Sequence, residues 1–119
     1  MTRIRLTLAG VAAVALVAVA PLSAAPSATK LTATVGPGFT ISLKKGTTKV
    51  TKLKPGAYTI SVSDKSDMHN FHLSGPGVNK KTSVAAKVNQ TWKVTLKKGT
   101  YKFVCDPHAS FMKGSFKVS

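Results

Sequence analysis

The residues best suited to chemistry lie close together near the C-terminus, in the stretch YKFVCDPHASFM of residues 101–112. This stretch contains the only cysteine of the chain, Cys105, followed at C-x2-H-x3-M spacing by His108 and Met112. A lone cysteine cannot form a disulfide within its own chain, so it is either a reactive thiol or a ligand. Thiolate and thioether sulfur are soft donors that suit Cu(I), and imidazole also binds copper. The spacing therefore predicts three metal ligands from one loop.

A fourth donor is expected from DMHNFHLSG, residues 67–75. If this stretch is extended, one face carries His69 and Phe71, and the opposite face carries Asn70 and His72. A histidine on an apolar strand face is more often a hydrogen-bonded core residue than a ligand. Beside a Cys-His-Met loop, however, His69 becomes the expected second imidazole, whereas His72 is expected to face outward.

Two imidazoles and a thiolate in a trigonal arrangement, with a long axial methionine contact, form a blue-copper electron-transfer site. The predicted ligands of one copper ion are His69, Cys105, His108 and Met112. Zinc is an alternative, although structural zinc sites usually use two or more cysteines and do not use methionine. Met112 could instead be only a core residue. A further alternative is that a Cys-His pair is catalytic. The chain has only three aspartates, no glutamate and no evident oxyanion motif, so we do not expect an enzyme.

The N-terminal segment has the three-part layout of a secretory signal peptide. Arg3 and Arg5 precede an apolar stretch from Leu6 to Ala20, and proline and small residues follow it. This stretch is shorter than the roughly 20 residues that a membrane-spanning helix needs, which leaves an uncleaved anchor as the alternative. We expect residues 1–28 to be the signal peptide and residues 29–119 to be one domain outside the cytoplasmic membrane, with no transmembrane span.

The remainder of the chain alternates apolar and polar residues with the period of two that is typical of half-buried strands. The residues predicted to face inward are Phe39, Ile41 and Leu43; Tyr58, Ile60 and Val62; Trp92, Val94 and Leu96; and Tyr101, Phe103 and Cys105. Glycine- and proline-containing turns separate these runs. The pattern predicts an all-β sandwich or small barrel.

The segments HNF at 69–71 and CDPH at 105–108, followed by Met112, resemble those of the cupredoxin family of plastocyanins, azurins, amicyanins and pseudoazurins. The resemblance implies a Greek-key β-sandwich or barrel that binds copper through the four predicted ligands and carries electrons. It also implies that Asn70 joins the two ligand segments by hydrogen bonding, and that Phe111 belongs to an apolar surface where electrons enter and leave. The Cys-to-His spacing is plastocyanin-like, whereas the three residues between His and Met are nearer the azurin pattern.

The net charge indicates the kind of partner. Without residues 1–28 the chain carries 16 lysines and three aspartates, a net charge of about +13. The lysines have little aromatic interleaving, so nucleic acid is not an expected partner. Attraction to an acidic redox protein or an anionic cell envelope is expected, as is a monomer. The alternative for the charge is a solvated basic surface that discourages edge pairing. The alternatives for the function are copper binding or delivery without electron transfer, and binding to the cell envelope with incidental metal.

Overall fold

The computed structural model describes residues 10–17 and 27–119, and the folded part consists of two five-stranded sheets. Residues 1–9 and 18–26 of the predicted signal peptide lie outside the described residues. Within the described ranges, no helix has the length and apolar character needed to cross a membrane. The strands are β1 (Thr29–Val35), β2 (Ile41–Lys45), β3 (Thr48–Lys49), β4 (Lys52–Leu53), β5 (Gly56–Asp64), β6 (His72–Gly75), β7 (Val78–Lys81), β8 (Val88–Leu96), β9 (Gly99–Val104) and β10 (Lys113–Val118).

Each sheet is mixed. The first has the order β3-β2-β1-β5-β8 and contains the parallel pair β1 and β5. The second has the order β4-β10-β9-β6-β7, in which β9 lies between β10 and β6. The strands β9 and β10 on either side of the C-terminal loop, and β6 directly after the His69 segment, all belong to the second sheet, which brings the two ligand segments to one end of the sandwich. The predicted all-β sandwich is confirmed.

Alternation predicted the inward faces of three strands correctly. The predicted inward residues of β5, β8 and β9 are all buried: Tyr58, Ile60, Val62, Trp92, Val94, Leu96, Tyr101 and Phe103. Cys105, directly after β9, is fully buried and belongs to the same hydrophobic core. Burial of such apolar area supplies the main driving force for folding.

Phe39 is the exception, and its predicted inward position is wrong. It lies before β2 and its side chain is 62% exposed. The backbone N–H of Gly36 donates to the carbonyl of Thr40 at 2.8 Å, so the chain between them bends outward. Gly36 and Gly38 have φ values of +68° and +78°, which glycine adopts without steric cost. The bend removes Phe39 from the strand and places it at the surface.

Candidate metal centre

The C-terminal loop is closed by hydrogen bonds of its own backbone. Cys105 follows β9, a 3₁₀ turn spans Asp106–His108, and Met112 directly precedes β10. The N–H of Cys105 donates to the carbonyl of Met112 at 3.0 Å, and the N–H of Met112 donates to the carbonyl of His108 at 2.8 Å. The N–H of His108 in turn donates to the carbonyl of Cys105 at 3.0 Å. These bonds fix the positions of the three predicted ligands relative to one another.

The segment that carries His69 precedes the strand, whereas the sequence analysis considered residues 67–73 as an extended stretch. The strand β6 begins only at His72, and the preceding residues form an irregular segment. His69, Asn70 and Phe71 are all buried, so this segment has no solvent-exposed face. As expected, His69 is buried and His72 lies half-buried on the outer face.

Thr82 holds this irregular segment in place, a role that no local pattern in the sequence indicates. The N–H of Phe71 donates to Oγ1 of Thr82 at 2.9 Å, and the N–H of Thr82 donates to the carbonyl of Phe71 at 3.0 Å. Oγ1 of Thr82 also donates to the buried carboxylate of Asp64 at 2.9 Å. Burial raises the pKa of Asp64, although the hydrogen bonds from Thr82 and Ser66 oppose this shift. Only a long-range contact could have revealed this role.

Three of the four predicted ligands come together. Nδ1 of His69 and Nδ1 of His108 lie 3.0 Å apart, and each lies 3.6 Å from Sγ of Cys105. Among the described residues these three side chains form a group able to hold a metal ion. A transition metal bonded at about 2.0 Å to nitrogen and about 2.3 Å to sulfur can reach donors separated by up to about 4 Å. The donors are therefore spaced for one ion.

The fourth predicted ligand, Met112, lies at the end of the same loop. Its side chain is 1% exposed, and its carbonyl accepts the N–H of Cys105. Cys105 and His69 are also buried, whereas His108 is partly exposed. Three of the four predicted ligands are thus buried, and one imidazole reaches the surface.

Asn70 joins the two ligand segments. Its Nδ2 donates to Oδ2 of Asp106 at 2.7 Å and to the carbonyl of Thr82 at 3.3 Å. Its Oδ1 accepts the backbone N–H of Asp106 at 2.7 Å. Because Asn70 adjoins His69 and Asp106 adjoins Cys105, one buried side chain fixes the separation of two predicted ligands.

The chain matches a known family over most of this domain. The sequence model of the copper-binding proteins of the plastocyanin/azurin family matches residues 38–119, more than half of the chain. The chain belongs to this family. Its cofactor is therefore copper, and the soft sulfur and imidazole donors at these separations fit that ion.

Solved structures of another copper protein, rusticyanin, share this cupredoxin fold. Reduced rusticyanin at 1.9 Å is 21% identical, with 79% of this chain and 82% of that chain covered and a TM-score of 0.53. Rusticyanin from Thiobacillus ferrooxidans at 1.27 Å is 21% identical, with 76% of each chain covered and a TM-score of 0.52. No curated protein sequence matches the chain.

An aromatic cluster covers the exposed side of this cupredoxin's donor group. The ring centroid of Phe39 lies 5.2 Å from those of both His69 and His108, and 5.8 Å from that of Phe111. Phe39 and Phe111 remain 62% and 58% exposed. Phe111 was expected at this surface, but Phe39 was not, because its alternation with Ile41 indicated the core.

Proposed function

We propose that this cupredoxin is an extracytoplasmic blue copper protein that carries single electrons between redox partners. The proposed ligands are His69, Cys105, His108 and Met112. The observation that carries the proposal is the convergence of two imidazole nitrogens and one thiol sulfur within 3.6 Å of one another. Such a donor set, with a buried methionine on the same loop, is typical of blue-copper centres.

The protein contributes a donor set that changes little between oxidation states. Copper, when bound, supplies the one-electron couple between Cu(I) and Cu(II). The backbone bonds of the C-terminal loop hold Cys105 and His108, while Asn70 and Thr82 hold the His69 segment. Because these contacts are buried and hydrogen-bonded, the ligands need little rearrangement when an electron arrives or leaves.

Electrons enter and leave beside His108, because it is the proposed ligand with surface exposure. The exposed rings of Phe39 and Phe111 pack against it and offer an apolar contact for a partner. Exposed apolar side chains that cluster in this way are typical of interaction sites. An electron exchanged with a partner at this surface does not have to cross the hydrophobic core.

The charge and the N-terminal segment support the location and the partner class. Residues 1–28, which resemble a signal peptide, favour export, and the domain of residues 29–119 is proposed to act as a monomer. A net charge of about +13 favours an acidic redox protein or an anionic envelope surface as partner, not nucleic acid. Electron carriage without substrate turnover also agrees with the absence of glutamate from the sequence.

The test is to add Cu(II) to the purified copper-free protein and record absorption and electron paramagnetic resonance. A blue-copper site gives intense visible absorption and a spectrum with the narrow copper splitting of a thiolate complex. A colourless complex, or one with the spectrum of nitrogen and oxygen ligands alone, would contradict the proposal. Added Zn(II) serves as the control, since it binds similar donors without colour.

Copper delivery is the second candidate function, because soft donors also suit the transfer of Cu(I). Voltammetry separates the two. An electron carrier gives a reversible wave and keeps its copper through repeated cycles and in the presence of a competing Cu(I) chelator. A delivery protein loses its copper to the chelator on reduction, and that result would favour the alternative.

A further inference from the structure

His72, which is not one of the proposed ligands, is fixed at both ring nitrogens. Its Nδ1 lies 2.8 Å from Oδ1 of Asp106, and its Nε2 lies 2.6 Å from Oδ1 of Asn79. The His72 side chain is only 22% exposed although it lies on the outer face of the second sheet. Two short hydrogen bonds on one imidazole leave it little freedom to rotate.

Both of these partners are hydrogen-bond acceptors. A carboxylate oxygen and an amide oxygen each require an N–H, and only the imidazolium form of histidine donates from both nitrogens. The same geometry affects the pKa of His72. Burial acts to lower it, but the hydrogen bonds to Asp106 and Asn79 and the charge of Asp106 outweigh burial, and the pKa is raised.

The imidazole is connected to both ligand segments through one carboxylate. Oδ1 of Asp106 faces His72, while its Oδ2 accepts a hydrogen bond from Asn70. The backbone N–H of Asp106 donates to the same asparagine. The carboxylate thus lies between the His72 imidazole outside the site and the buried amide that joins the segments of His69 and Cys105.

We propose that His72 is a positioning residue of the copper site, because its imidazolium holds the Asp106 carboxylate in the orientation that Asn70 requires. This inference rests on the proposed electron-transfer function. Protonated His72 adds a positive charge near the site and keeps the Asn70 link intact. Loss of that proton weakens the link and removes a charge that favours Cu(I), so it lowers the reduction potential.

The other charged groups around His72 do not replace this role. On β7, Lys81 lies directly opposite His72, and its positive charge acts to lower the pKa of His72. On β9, the opposite residue is the uncharged Val104, with Lys102 two residues away and Lys113 of β10 opposite Val104. Asp106 is therefore the one carboxylate that the described structure places against this imidazole.

The first arm of the test uses copper-loaded protein and the variant His72→Gln, which keeps a polar amide but does not titrate. The wild-type potential should fall between pH 5 and pH 9, and that of the variant should stay flat. A change of at least threefold in the balance of Cu(I) and Cu(II) is expected, or about 28 mV at about 59 mV per tenfold. If the variant keeps the pH dependence, a ligand imidazole causes it, and the proposal is wrong.

Lys81→Gln is the matched control, since it removes a positive charge from the same face without removing a titrating imidazole. It should lower the potential and keep a pH-dependent fall of similar size, with the midpoint moved to higher pH because Lys81 no longer lowers the pKa of His72. If instead it flattens the pH profile as His72→Gln does, the general field of the face accounts for the effect, and His72 has no special role.

The second arm needs no copper and therefore does not depend on the proposed function. In the copper-free protein, nuclear magnetic resonance should show His72 titrating above 6.5, its ordinary pKa. Exchange of the Asn70 side-chain amide should be at least threefold faster in His72→Gln than in the wild type. Unchanged amide exchange would overturn the positioning role, whereas a colourless copper complex alone would overturn only the electron-transfer proposal.

Discussion

The substitution Asn70→Ala tests whether one buried amide joins the two halves of the site. It removes two hydrogen bonds to Asp106 at 2.7 Å and a longer one to Thr82 at 3.3 Å. A neutral hydrogen bond contributes about 0.5–1.5 kcal/mol, and one to a charged group about 1.5–3 kcal/mol. Because the Asp106 carboxylate is 41% exposed, the lower part of the second range applies. The expected loss is about 3 kcal/mol of unfolding free energy.

Thermal and urea unfolding of the copper-free protein measure this loss directly. For a domain of this size, about 1 kcal/mol corresponds to about 4–8 °C in Tm, so Asn70→Ala should melt about 12–24 °C lower. Asn89→Ala is the matched control, because Asn89 lies exposed on β8. Exposed substitutions of this kind usually change stability by less than about 0.5 kcal/mol.

A charge variant at the same position separates the hydrogen bonds from simple packing. Asn70→Asp keeps the shape of the side chain but turns an oxygen toward Oδ2 of Asp106. Two adjacent carboxylates repel each other, so this variant should be less stable than the wild type at pH 7 and should recover as the pH is lowered. If Asn70→Ala melts within 3 °C of Asn89→Ala, the amide does not join the segments.

Three further outcomes are expected. Cys105→Ser should abolish the intense blue absorption, because a hydroxyl is a hard and poorly ionised ligand; a variant that stayed blue would refute the thiolate assignment. Met112→Gln should keep the colour but lower the potential in voltammetry, since its oxygen favours Cu(II), and an unchanged potential would remove Met112 from the ligand set. The third outcome concerns pH. The pKa of His72 is raised above 6.5, so its contribution to stability is complete below 6.5 and is lost as the pH rises through the folded value. Burial acts to raise the pKa of Asp106, but the hydrogen bonds from His72 and Asn70 outweigh it, so that pKa lies below 3.8 and the contribution of Asp106 is lost only in stronger acid. Urea unfolding of copper-free wild type and His72→Gln should therefore differ most between pH 3.8 and 6.5, and a difference that is constant from pH 3 to 9 would contradict the ion pair.

Much of the fold followed from local sequence patterns. Alternation gave the inward faces of β5, β8 and β9, because each of these strands has one face in the core and one toward solvent. It failed where the chain is irregular. The outward bend before β2 depends on two glycines and one backbone hydrogen bond, and alternation across that bend wrongly placed Phe39 in the core.

The site shows the same division between local and distant information. The spacing of Cys105, His108 and Met112 is local, so the sequence could place them in one loop. The segment of His69 and Asn70 lies outside the strand β6, and it is held there by Thr82, which is 12 residues after Asn70 in the sequence. No period-two pattern encodes such a contact, because it depends on how two loops meet after the sheets have formed.

The separation of the ligands along the chain has a mechanical consequence. His69 and Cys105 are 36 residues apart, and their donor atoms meet at 3.6 Å only because β6 and β9 are neighbours in one sheet. The sheet sets the approximate distance, but the two ligands lie just outside its strands. His69 comes before β6, and Cys105 comes directly after β9. The final alignment therefore depends on side-chain hydrogen bonds between Asn70 and Asp106, not on the strand ladder. A cupredoxin built in this way can alter its copper environment by changing the polar residues behind the ligands while its sheets and its four proposed ligands stay the same.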